Sequence, residues 1–98
     1  MQRGKVERML YIVAYDIPND RRRTKVHKAL CGFGRWTQYS LFECYLNDRE
    51  RVALRAKLDT LLKADEDSVR FYFVCGACAA KVETIGSPKP AEETVYIV

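Results

Sequence analysis

Eight residues from Met9 to Asp16, MLYIVAYD, are apolar at nearly every position until the final carboxylate. A half-solvated strand alternates polar and apolar side chains, so an unbroken run of this kind belongs at the centre of a sheet covered on both faces. Pro18 follows, lacks a backbone donor and stops the strand. Asn19 or Asp20 can then cap a helix. Across Arg21–Phe33 the apolar positions Val26, Ala29, Leu30 and Phe33 mark one helical face and Arg22, Lys25 and Lys28 the other, with Gly32 and Gly34 as a stop. The plain reading is a buried strand, a polar turn and a solvated helix. The sharper one puts Asp16 at a strand end beside a basic surface, where a metal ion and a phosphate can meet.

The stretch TQYSLFECYL reads as a second strand. Asn47 and Glu50 then have capping-box spacing, and Leu54, Leu58, Leu61 and Leu62 recur at helical intervals. After the break at DED, SVRFYFVCG is a third β run with Val69, Phe71 and Phe73 on one side, and KVETI is a candidate fourth strand. These strands and helices suggest a ferredoxin-like α+β sandwich, whose order is β-α-β-β-α-β. The expected organisation is an extension over 1–8, a single domain over 9–86, and a linker with a terminal strand over 87–98. That ending, TVYIV after GSPKPAEE, has high β propensity and needs an edge to pair with. A neighbouring chain could provide one, as in a strand-exchanged homodimer.

A chain of 98 residues holds one small core. No apolar run approaches the roughly 20 residues that cross a bilayer, so no membrane role is expected and the reading is cytoplasmic. The net charge of +4 is concentrated in residues 1–35, which hold nine Lys/Arg against three acids. A basic face of this kind suits a polyanion, nucleic acid before membrane, although such faces are also often merely solvated. Of the four cysteines, Cys75 and Cys78 in CGAC have metal or redox spacing. With no second CxxC and only one histidine, His27, the expectation is reduced cysteines acting as small apolar residues.

With these residues placed, the chain resembles the small CRISPR-associated adaptation proteins, the second member of the core adaptation pair. Three features carry the likeness: Tyr15–Asp16 closing the first strand, the basic helix after it, and QYSLFEC from Gln38 to Cys44, similar to the family's Q-x-S-x-F-E strand. The resemblance implies a ferredoxin-like homodimer whose C-terminal strand joins the partner's sheet. It also implies metal-dependent cleavage of RNA or DNA, and a place as the central dimer of the complex that integrates new spacers. By that likeness Asp16 is the candidate catalytic residue and magnesium ligand, Arg21, Arg22 and Arg23 are the basic residues of the first helix, and Ser40 and Phe42 lie with Tyr15 near the dimer cleft. Lys25, Lys28 and Arg35 extend the candidate nucleic-acid surface. Family members often carry an arginine two residues before the glutamine. Here that position is Trp36, and Arg35 precedes it, so strand alternation would point the arginine away from the site unless the loop is irregular. Trp36 then packs in the core or lies against nucleic acid.

Phosphodiester hydrolysis needs a nucleophilic water and stabilisation of charge on phosphate, and magnesium supplies both from few carboxylates. One chain offers Asp16 alone, so the expected arrangement is one magnesium per dimer at the two-fold axis, between two copies of Asp16. His27 reads as a surface or packing histidine and Glu43 as half of an ion pair. Three functions are weighed: a magnesium-dependent endonuclease on RNA or duplex DNA, a non-catalytic DNA scaffold for an integrase subunit, and an RNA-binding module of the RRM kind. VRFYFVCG has that module's aromatics but lacks its glycines. Glu92 and Glu93 in the linker are the candidate contact for the integrase subunit.

Overall fold

The computed structural model describes residues 7–86. Strand β1 (Met9–Asp16) is followed by helix α1 (Asp20–Cys31), the hairpin β2 (Arg35–Gln38) and β3 (Leu41–Leu46), helix α2 (Asp48–Leu61), β4 (Ser68–Val74) and a single helical turn, α3 (Gly76–Ala79). The strands form one antiparallel sheet in the order β2-β3-β1-β4, which is the ferredoxin-like arrangement. The most apolar strand therefore does lie inside the sheet, paired on both sides.

Both long helices pack on one face of the sheet. Each starts on an asparagine. The Asn19 side chain accepts from the Arg22 amide at 2.9 Å, and Asn47 with Glu50 forms the expected capping box. Val26, Ala29 and Leu30 of α1 and Leu54 and Leu58 of α2 close over Val13, Tyr15, Phe42, Cys44 and Leu46. No helix among the described residues is long and apolar enough to cross a membrane.

Three local expectations are corrected. TQYSLFECYL is a hairpin rather than one strand: Tyr39 takes a left-handed conformation (φ 46°), and the Trp36 indole Nε1 donates to the Tyr39 carbonyl at 2.8 Å, closing the turn. Gly34 is not mainly a helix stop. A Cβ there would stand 2.3 Å from Cys44 Sγ and 2.6 Å from the Glu43 carbonyl oxygen, so its lack of a side chain lets the chain pass against β3. KVETI is not a strand. After α3 the backbone keeps turning, with the Lys81 amide donating to the Cys78 carbonyl at 3.0 Å, and Ile85 is 97% exposed and pairs with no strand among the described residues.

Arg8, at the start of the described chain, makes paired hydrogen bonds of 2.8 and 2.6 Å to Glu50 at the beginning of α2. The terminal TVYIV strand and the linker acids Glu92 and Glu93 lie outside the described residues.

Candidate metal and nucleic-acid site

Asp16 is the last residue of β1, and the neighbouring strands frame it. It pairs with Ser68 at the start of β4, while on the other side the Tyr15 amide donates to the Ser40 carbonyl at 3.1 Å at the tip of the β2–β3 hairpin. Alternation sends the two neighbours apart. Tyr15 is buried under the helices, whereas Asp16 is exposed toward the opposite, open face. Among the described residues nothing forms a hydrogen bond or ion pair with the Asp16 carboxylate.

The three arginines after Pro18 have different fates. Arg22 is drawn down to the turn before β4, where its Nε and Nη2 donate to the two Asp67 carboxylate oxygens at 2.7 and 3.1 Å and Nη2 also reaches Glu66 at 2.8 Å. Asp67 is buried and accepts the Lys63 amide as well, at 2.9 Å. The Arg22 guanidinium, with that amide, holds the Asp67 carboxyl below the usual carboxylate range despite the burial. Arg23 turns back on the loop, donating to the Ile17 carbonyl at 2.8 Å and pairing with Asp20. Arg21, Lys25 and Lys28, spaced as one helical stripe, are exposed and have no ion-pair partner among the described residues.

Tyr15, Ser40 and Phe42 do come together, but on the helix side of the sheet. The Tyr15 hydroxyl lies 3.2 Å from His27 Nδ1, and the His27 ring packs edge-on against Phe42 and Trp36 with centroids 5.1 and 6.0 Å apart. Burial, and then the nearby Cys31, push the Tyr15 hydroxyl up, partly offset by Arg23 and a hydrogen bond with Ser40. His27 is thus a packing histidine. Its place beside Val26 and one turn before Leu30, on the flank of the buried stripe, was the signal for that contact. Trp36 does not enter the core: it is 36% exposed and covers the outer edge of the His27 ring, which corrects the expectation of core packing.

Arg35 sits on β2 directly across from Glu43, which in turn faces Ile12. It therefore shares the open face with Asp16, but at strand spacings its backbone is roughly 16 Å away. The register places Arg35 beside Glu43, yet no ion pair forms there among the described residues, correcting the expectation for Glu43.

The donor chemistry at the strand end suits a hard cation. Magnesium takes carboxylate oxygen together with waters and phosphate, and needs few protein ligands. Asp20 and Asp67 are already paired with arginines, whereas Asp16, which closes the central strand, is an uncommitted carboxylate. The described residues contain no group of three or more acids, histidines or cysteines able to enclose a metal. A site here is therefore open, and one chain contributes one carboxylate to it.

A ferredoxin-like sandwich with an uncommitted acid closing its central strand and a basic stripe on the next helix defines a class of small α+β proteins. Comparison with known proteins narrows it: the chain belongs to the family of CRISPR associated protein Cas2, whose model matches residues 9–82. It is 34% identical to a CRISPR-associated endoribonuclease Cas2 of Synechocystis over 92% of this chain and all of that one. Among solved structures, a hypothetical protein from Thermus thermophilus superposes with a TM-score of 0.75 at 41% identity, covering 87% of this chain and 99% of its own. A chain in a partial Cas6-RT-Cas1–Cas2 complex superposes with a TM-score of 0.68 at 26% identity, covering 82% of this chain and 88% of that one.

Proposed function

We propose that this protein is a magnesium-dependent endonuclease of CRISPR adaptation, active as a homodimer in the cytoplasm, with Asp16 of both protomers holding one metal ion at the two-fold axis. The carrying observation is the contrast among acids at this end of the sheet: Asp20 and Asp67 are tied to arginines, while Asp16 is exposed and uncommitted on the open face. Two sheets packed open face to open face would bring the two carboxylates near each other, and a cation relieves the repulsion between them. The apolar character of that face, with the half-buried Ile12 and Ala14 flanked by Tyr45 and Tyr72, supports such packing. Bound magnesium supplies charge stabilisation at phosphate and a more acidic water. The chain's own part is to fix the Asp16 carboxylate at a strand end and to present Arg21, Lys25 and Lys28 to the nucleic-acid backbone.

A second reading, a non-catalytic DNA scaffold for an integrase subunit, is favoured by the likeness to a chain of a Cas1–Cas2 complex and by that exposed stripe. One comparison separates the two. Wild type and Asp16→Ala, both checked as folded, are assayed on labelled single-stranded RNA and duplex DNA with magnesium or chelator. Cleavage by wild type alone, lost on chelation, with binding retained in the variant, is the expected result. Equal cleavage by both proteins, or binding with no cleavage by either, removes Asp16 as a catalytic residue and leaves the scaffold.

A further inference from the structure

The CGAC stretch has no part in the site described above, and its thiols differ from the chain's other two. Cys44 is buried in the core, where burial pushes its thiol up to about 12, and Cys31 is half-buried. Cys75 and Cys78 are both exposed, so for this pair the reading as small apolar residues is overturned.

Helix α3 sets their geometry. Cys75 immediately precedes its first residue, and the Cys75 carbonyl accepts the Ala79 amide at 2.8 Å, closing the backbone around Cys78. The two residues between them, Gly76 and Ala77, are helical. Helical dihedrals there set the Cα atoms of the cysteines about 5 Å apart. That falls within the roughly 4.4–6.8 Å that disulfides bridge. Approach from solvent is open: a side chain built on Gly76 would meet nothing within 4 Å. The pair is also unsymmetrical. The Cys78 amide, and then its thiol, hold the Cys75 thiol below its ordinary range, while Cys75 pushes Cys78 up.

We propose that Cys75 and Cys78 form a thiol–disulfide exchange site whose oxidant is a low-molecular-weight disulfide. The Cys75 thiolate attacks one sulfur of that disulfide, forming a mixed disulfide and releasing one small thiol. Cys78 then gives up its proton, and its sulfur attacks Cys75 Sγ. The Cys75–Cys78 bond forms and the second small thiol leaves. The chain loses two hydrogens and the two electrons pass to the small disulfide, which is reduced to two thiols. A loop this short gains little chain entropy from the bond, so excess small thiol reverses it. The bond would brace α3 where it packs against β1, at the point where the chain leaves the sheet.

The test uses the full reduced chain with glutathione disulfide as the probe, followed by alkylation and mass spectrometry. Wild type is expected to lose about 2 Da together with the alkylation of Cys75 and Cys78, and to regain both on adding thiol. Cys78→Ser should instead retain one glutathione on Cys75, and Cys75→Ser should react at least about tenfold more slowly. A stable glutathione adduct on wild type overturns the proposal. So does a disulfide between two chains, prior reaction at Cys31 or Cys44, or no reaction.

Discussion

On the helix-covered face of the sheet, Val13, Phe42 and Cys44 have no exposed surface at all. On the open face, Ile12, Ala14 and Leu41 keep part of theirs, and Tyr45 and Tyr72 are 45% and 48% exposed. The same strands supply both sets, because alternate residues of β1 and β3 point in opposite directions. An apolar central strand calls for cover on each side, and the described residues provide two long helices on one side only. The short turn α3 also approaches β1. Candidate function follows the same division: the packed side contains Tyr15 and His27, while Asp16 and Arg35 stand on the open one.

The sharpest way to break that contrast is to remove a side chain from the packed face. Phe42→Ala should cost about 3–5 kcal/mol, through lost burial and the cavity left behind. This is a large share of the roughly 5–15 kcal/mol that holds a domain together. A urea titration in which the midpoint barely moves would show that the two faces do not differ energetically as their burial suggests.

The next effect concerns assembly. Ile12→Arg should leave the monomer folded, because Ile12 is only half-buried, but should abolish face-to-face pairing and with it any cleavage that needs two copies of Asp16. Light scattering beside the melting curve reads both quantities. A folded dimer of unchanged stability would move the dimer contact elsewhere.

Smaller, and dependent on pH, is the Arg22–Asp67 bridge between α1 and the turn before β4. The carboxyl of Asp67 is lower in the folded chain than in the unfolded one, so its contribution is complete above the ordinary carboxylate range and disappears as pH falls through the folded value. Arg22→Ala should therefore lower Tm at neutral pH more than Arg21→Ala does, and the gap between them should close in acid. A gap that stays constant with pH would remove the bridge as its cause.

The smallest change belongs to the exposed stripe. Lys25→Ala and Lys28→Ala should each weaken nucleic-acid binding modestly while leaving Tm unchanged. Each should reduce the slope of log affinity against log salt by about 0.7–0.9 if its ammonium meets a phosphate. An unchanged slope would place the bound backbone on another face.

Local chemistry was legible without the structure. The continuous apolar run identified β1 as central, and the asparagine caps and leucine intervals located both helices. Each of these depends on neighbours within a turn or two of the chain. What only the tertiary structure decided involves partners far apart in sequence. Arg22 reads as one of three equivalent cations until Asp67, buried 45 residues later, takes it out of the solvent-facing stripe. Gly34 reads as a helix stop until β3 passes against it, and KVETI reads as a strand until the backbone is found to keep turning after α3. His27 needed Tyr15 and Phe42 from two strands before its packing role was visible, and CGAC needed α3 before its exposure was. Backbone preference and periodicity are short-range, so the sequence alone could determine the elements and their faces. Which charges are consumed in the fold and which remain for a ligand depends on long-range packing, and only the folded chain decides it.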